Sequence, residues 1–131
     1  MYLLDTNTCI HFLNGSSASI KQQLQNSTPN EIVLCSVVKA ELLYGARYSQ
    51  KVEANLQRLK QFFVPLSSLS FDDRSAEEYA QIRADLTRQG KLIGPNDLMI
   101  AAIARAHDAI LVTNNTAEFQ RVANLRLVDW S

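Results

Sequence analysis

Residues 97–113 read DLMIAAIARAHDAILVT, and this stretch decides the fold. Over residues 97–107 the side chains of Leu98, Met99, Ile100, Ala101, Ala102, Ile103 and Ala104 leave no broad polar stripe. The spacing therefore predicts a helix that is apolar nearly all round and belongs in a core, packed on a sheet. Residues 109–113 follow as a continuous apolar run of strand length, the pattern of a parallel sheet buried on both faces. Working outward, further strands are expected at Tyr2–Leu4, at residues 31–35, at residues 63–66 and at Leu127–Val128. Pro65 puts the third of these near a sheet edge, because proline cannot donate to a ladder. Between the strands the apolar spacing predicts helices at residues 8–13, 17–25, 36–48, 52–63 and 72–89, with a short helical turn at 117–121. Gly15 and Gly90 supply stops, and Gly94-Pro95-Asn96 reads as a break in the chain. Strands alternating with helices specify an α/β class: a three-layer α/β/α sandwich with a mainly parallel central sheet, one domain over residues 1–131.

Composition narrows the function classes. The 131 residues include 47% hydrophobic and 20% charged, the balance of a globular chain rather than a disordered one. The longest uncharged helical run is residues 98–104, far short of a membrane span. Asp5 interrupts the only apolar stretch near the start, so no secretory signal is expected. Cys9 and Cys35 sit in apolar contexts and read as core thiols, which points to the cytoplasm. Thirteen Lys and Arg balance thirteen Asp and Glu. With no net field to draw it to nucleic acid, such binding must come from a local patch, from metal ions or from a partner.

Four carboxylates fall where a parallel sheet collects ligands, outside the carboxyl ends of its strands. Asp5 ends the first strand, Glu41 lies in the helix after Cys35, Asp97 starts the buried helix, and Glu118 follows the strand that ends at Thr113. They are far apart in sequence, so only the fold can join them. Converging carboxylates repel one another unless a cation intervenes. Oxygen donors without His or Cys favour Mg²⁺ or Mn²⁺ over Zn²⁺, and the chemistry such a site serves most directly is phosphodiester hydrolysis. Each residue also has a purely structural reading. Asp5 and Asp97 can cap the helices they precede or begin, Glu41 can pair with a nearby Lys or Arg, and Glu118 can be an ordinary surface glutamate.

The surroundings of these residues are distinctive in combination. Leu3-Leu4-Asp5-Thr6-Asn7, the segment from Ser36 through Glu41-Leu42-Leu43-Tyr44-Gly45, Asp97-Leu98-Met99-Ile100-Ala101-Ala102, and Thr113-Asn114-Asn115 with Glu118-Phe119 resemble the four motifs of the PIN domain. More narrowly, the chain resembles the VapC-type toxins of bacterial toxin–antitoxin modules, from the first strand to Leu127-Val128-Asp129-Trp130. The resemblance implies a metal-dependent endoribonuclease that inhibits translation by in-line attack of water on an RNA phosphodiester, leaving a 5′-phosphate and a 3′-hydroxyl. Asp5, Glu41 and Asp97 match the family's acidic triad. Glu118 stands where many members carry Asp, and Asn7 and Thr113 match polar positions that orient the cluster. Asp5 and Asp97 would hold the principal Mg²⁺ or Mn²⁺, Glu41 would complete its shell, and Glu118 would serve a second ion. The implied partners are a cognate antitoxin whose basic side chain reaches the acidic cleft, an RNA substrate such as tRNA, and a second copy of the chain. Phe12, Leu13, Phe62 and Phe63 offer apolar surface for that homodimer, or serve as plain core.

Other readings are weaker. A haloacid-dehalogenase nucleophile loop needs Asp where Asn7 stands, and Cys9 and His11 face different ways on a helix. His107 suits the carboxyl end of its helix. Lys39, Arg47, Lys51, Arg58 and Lys60, and separately Arg83, Arg88 and Lys91, form basic groups that either grip a polyanion or simply solvate a helix face. The rival from another class is a PIN-fold module that holds a protein partner and has weak or lost nuclease chemistry. An intact Asp5, Glu41 and Asp97 set argues against it. A DNA-directed or general phosphodiesterase would use the same residues.

Overall fold

A computed structural model describes residues 1–131. Its order is β1 (Tyr2–Leu4), α1 (Thr6–Asn14), α2 (Ala18–Gln25), a 3-10 turn (Pro29–Glu31), β2 (Ile32–Cys35), α3 (Ser36–Arg47), α4 (Val52–Phe63), β3 (Ser67–Leu69), α5 (Asp73–Gln89), α6 (Pro95–Ala106), β4 (Ile110–Val112), α7 (Thr116–Phe119) and β5 (Leu127–Val128). The five strands form one sheet in the order β3-β2-β1-β4-β5, and every pairing is parallel. Strand order runs one way from β1 through β2 to β3 and the other way from β4 to β5, so the switch point lies between β1 and β4. Crossovers that run in opposite directions from the switch point place helices on both faces, completing the three layers expected from sequence.

The decisive stretch behaves as its pattern dictates. Along α6, Leu98, Ile100, Ala101, Ala102, Ile103 and Ala104 are at most 2% exposed. Leu111 and Val112 of β4 are sealed beneath it, and α5 packs along α6 through Ile82 and Leu86. Both cysteines are free and buried. No helix is long and apolar enough to cross a membrane.

Most boundaries fall within two residues of the sequence reading, and three differences bear on the sheet edge and the site. The third strand is Ser67–Leu69, not residues 63–66: α4 runs through Phe63, and Pro65 stands in the turn after it. Its pairing with β2 alone does make it an edge strand. Helix α1 begins at Thr6 rather than at residue 8, with Asp5 as its N-cap. Helix α6 begins at Pro95, so the supposed break is its first turn; proline's fixed φ and missing N–H suit that position. Phe12, Leu13, Phe62 and Phe63 are half-buried against the core, with the rings of Phe12 and Phe62 5.6 Å apart, so they serve the core while keeping part of their apolar surface exposed.

Because Ile103 is completely buried between sheet and helix, Ile103→Ala should cost about 2–5 kcal/mol of stability. The exposed edge change Ser68→Ala should stay within about 0.5 kcal/mol. Urea midpoints at constant m-value check both.

Candidate active site

The carboxyl ends of the central strands are tied together before any side chain is considered. Backbone N–H of Asp5 donates to the Val112 carbonyl at 3.0 Å, and the buried Thr8 hydroxyl donates to the same oxygen at 3.2 Å. This brings the end of β1 against the end of β4. Asp5, 5% exposed, is held in place because its Oδ1 accepts the Thr8 N–H at 2.9 Å. The capping reading of Asp5 is therefore correct and compatible with a role in the cavity, since only one of its oxygens is engaged by the cap.

A polar cavity of about 200 Å³ opens above this junction, lined by Asp5, Thr6, Asn7, Glu41, Asp97, Asn115 and Phe119. Three of the four expected carboxylates meet there. Glu41 comes from the second turn of α3, which starts directly from β2 with Cys35 as its N-cap. It makes no ion pair: its Oε1 accepts the Thr6 hydroxyl at 2.7 Å. Asp97 does not cap α6; Gly94 does, with no side-chain capping bond. That leaves the Asp97 carboxylate free to face the cavity. A Cβ added at Gly94 would sit 4.0 Å from Asp97 Oδ2, ordinary contact distance.

Glu118 flanks the cavity instead of lining it. Its Oε2 accepts from Asn115 Nδ2 at 2.8 Å, and its charge acts on Asp97. Asn7, exposed, lines the cavity and makes no hydrogen bond to a carboxylate. Thr113 is fully buried below it, where its Oγ1 accepts the Asn115 N–H at 2.9 Å and so shapes the loop carrying Asn115. Thr6 and Asn115 are two residues to which the sequence reading gave no role. Each lay inside a quoted motif, but nothing in the sequence showed which carboxylate it would hold.

Burial, then the charges of Glu118, Glu41 and Asp5, raise the Asp97 carboxyl to about 6. The cavity thus concentrates negative charge against its own electrostatics. All the charged groups lining it are oxygen donors, with no His or Cys among them. That donor set fits a hard divalent cation, which would also offset the repulsion. As the side chains stand, no three of these groups are gathered closely enough to hold one ion. Thr6 and Asn115 restrain Glu41 and Glu118 individually. Cys9, near Asp5, is fully buried, and burial pushes its thiol far up, which suits a core residue and not a nucleophile.

Comparison with known proteins adds to this geometry. A PIN domain profile matches residues 2–125. The tRNA(fMet)-specific endonuclease VapC of Shigella flexneri is 43% identical over 130 residues, covering 99% of this chain and 98% of that protein. Ribonuclease VapC2 of Rickettsia felis is 40% identical over 131 residues, covering 99% and 98%. Among solved structures, DNA-bound VapBC from Salmonella typhimurium superposes with a TM-score of 0.94 at 36% identity, covering 99% of this chain and 98% of that one. VapBC2 of Rickettsia felis, bound to a fragment of promoter DNA, gives 0.90 at 39% over the same shares.

The raised Asp97 carboxyl sets a pH dependence. The folded chain binds this proton more tightly than the unfolded chain, so the charge costs stability above about pH 6, and the cost is relieved as pH falls toward about 4. In EDTA, Asp97→Asn should therefore raise Tm relative to wild type at about pH 7.5, and the gap should close by about pH 4.5. Thermal melts across that range check the sign.

Proposed function

The chain belongs to the PIN domain family, and from that premise we propose that it is a metal-dependent endoribonuclease acting as the toxin of a toxin–antitoxin module in the cytoplasm, as one nuclease domain over residues 1–131. The observation that carries this reading is the meeting of Asp5, Glu41 and Asp97 in one polar cavity at the switch point of the sheet. Relatives that align over nearly the whole chain bear ribonuclease and endonuclease names, which favours catalysis over a binding module without chemistry. The Shigella protein's name makes a tRNA the first substrate to test.

Asp5 and Asp97 would hold a Mg²⁺ or Mn²⁺ ion, with Glu41 completing its shell and Glu118 serving a second. When bound, such an ion supplies Lewis-acid stabilisation of the phosphate and lowers the pKa of an attacking water. The chain's own residues do the positioning. Thr6 orients Glu41, the Thr8 N–H fixes Asp5, and Asn115 holds Glu118 beside Asp97. Asn7, exposed in the lining of the cavity, would hydrogen-bond a phosphate or sugar edge of the substrate.

The solved relatives are VapBC complexes, which supports a cognate antitoxin as partner. A cavity of about 300 Å³ lined in part by Ile10, Leu13, Leu42, Gly45 and Leu59 borders Glu41. An apolar antitoxin segment seated there would bring a basic side chain within reach of the carboxylates.

Purified wild-type protein should cut total RNA into discrete fragments with Mg²⁺ or Mn²⁺ and not with EDTA. Loss of outer-shell partners alone costs metal sites about 10- to 100-fold, so Asp97→Asn should lower cleavage by at least about 100-fold. Equal rates for the two proteins would remove the site assignment. Thr6→Val, which frees Glu41 without touching a carboxylate, should lower cleavage by about 10-fold or more and leave the far-ultraviolet spectrum unchanged.

A further inference from the structure

Tyr44 and Tyr48 are the two most exposed aromatic side chains, at 68% and 82%. Their rings lie nearly parallel, 11° between planes with centroids 5.9 Å apart. Exposed aromatic rings elsewhere are tucked further in: Phe71 is 37% exposed and set edge-on to Tyr79. Stacked as they are, the two tyrosines hold each other in one orientation and present π-surface to solvent.

Their place in the fold gives that surface a use. Tyr44 is one turn after Glu41 on α3, and Tyr48 caps the end of the same helix. At about 1.5 Å of rise per residue, the backbone of Tyr48 is only about 10 Å along the axis from that of Glu41, whose side chain lines the cavity. The charge there is also distinctive. Residues 42–52 contain Arg47 and Lys51 and no acidic residue, in a chain whose overall charge is zero. Neither cation belongs to an ion pair, the three pairs being Arg105 with Glu78, His107 with Asp72, and Arg126 with Asp108. Aromatic faces beside unpaired cations are the combination that holds single-stranded nucleic acid: the cations follow the backbone and the rings take the bases. Ser49 and Lys51, which flank the rings, are residue types depleted from the cores of protein interfaces.

We propose that Tyr44 and Tyr48 form a stacking platform for an unpaired base of the RNA substrate, next to the phosphodiester that is cut, with Arg47 and Lys51 holding the neighbouring phosphates. The proposal rests on the ribonuclease reading above. It adds a requirement on the substrate: at least one base close to the cut must be free to leave its helix, as in a loop. The tyrosines position the strand and take no part in bond breaking.

The test measures binding apart from cleavage. Protein carrying Asp97→Asn is titrated into a fluorescein-labelled single-stranded RNA of about 12 nucleotides, and into the same strand with abasic sites, with anisotropy as the readout. Adding Tyr44→Ala and Tyr48→Ala should weaken binding to the base-bearing strand by about 5- to 100-fold, the range alanine substitution gives at stacking platforms. Tyr44→Phe with Tyr48→Phe should restore it, and the abasic strand should not distinguish the variants. Equal affinity of the alanine and parent proteins for the base-bearing strand overturns the proposal, as does an equal loss on the abasic strand or no binding to either. A change in oligomeric mass by light scattering with RNA affinity unchanged overturns it in favour of a protein contact. Failure of the nuclease reading would appear separately, as wild-type protein that leaves total RNA uncut.

Discussion

The Val112 carbonyl, which accepts from both the Asp5 N–H and the Thr8 hydroxyl, is the junction on which the candidate site depends. It locks Asp5, the residue that follows β1, to the end of β4. The register between those strands, Leu4 opposite Val112, then carries Asp5 and the Thr113–Asn115 loop to the same height above the sheet. A one-residue slip would turn Asp5 toward the opposite face. It would also bury a carboxylate away from its capped helix, a cost far larger than any gain from the change. Both the geometry of the fold and the price of charge thus select the one register in which the cavity exists.

Asp5 shows why structural and functional readings of a single residue need not compete. As N-cap it satisfies an orphan N–H of α1, and its negative charge lies at the favourable end of that helix. Only part of the carboxylate is consumed by the cap, so the rest faces the cavity. Asp97 differs: Gly94 occupies the capping position, and no side-chain bond steadies the Asp97 carboxylate. It is also the member whose proton affinity is raised, by burial first and then by its acidic neighbours. One acid is stabilised by the backbone and another is left to the field of the rest.

How much of this was legible in the sequence depended on where the signal was periodic. Helix α6 and strand β4 announced themselves because burial on all sides leaves an unbroken apolar run, and Gly15 and Gly90, at φ 67° and 66°, marked two helix ends by a conformation that suits glycine. Strand β3 was placed a few residues early because Ser67 and Ser68 are exposed at a sheet edge and carry no hydrophobic pattern. The starts of α1 and α6 were each read late, since a cap is fixed by backbone angles that composition signals weakly. Thr6 and Asn115 were beyond reach for another reason. Their role is a hydrogen bond to Glu41 in one case, 35 residues away, and in the other a three-residue contact that exists only once Thr113 has shaped the loop.

The candidate site is the place where the chain departs from agreement between local and global preference. Elsewhere, buried side-chain polar atoms all have partners and the apolar residues fill one continuous cluster. At the cavity, Asp5, Glu41 and Asp97 meet with Glu118 alongside, and burial together with the charges of the other three raises the Asp97 carboxyl. A sequence under selection for stability alone would replace Asp97 by a neutral residue of the same shape, because that relieves the repulsion without disturbing Gly94 as the cap. Keeping the charge makes physical sense if something positive is to be held there. Thr6 and Asn115 are then understandable as neutral donors that restrain Glu41 and Glu118 without cancelling the charge a cation needs. Lys or Arg in their place would pair with those carboxylates and cancel the negative charge that the cavity otherwise keeps.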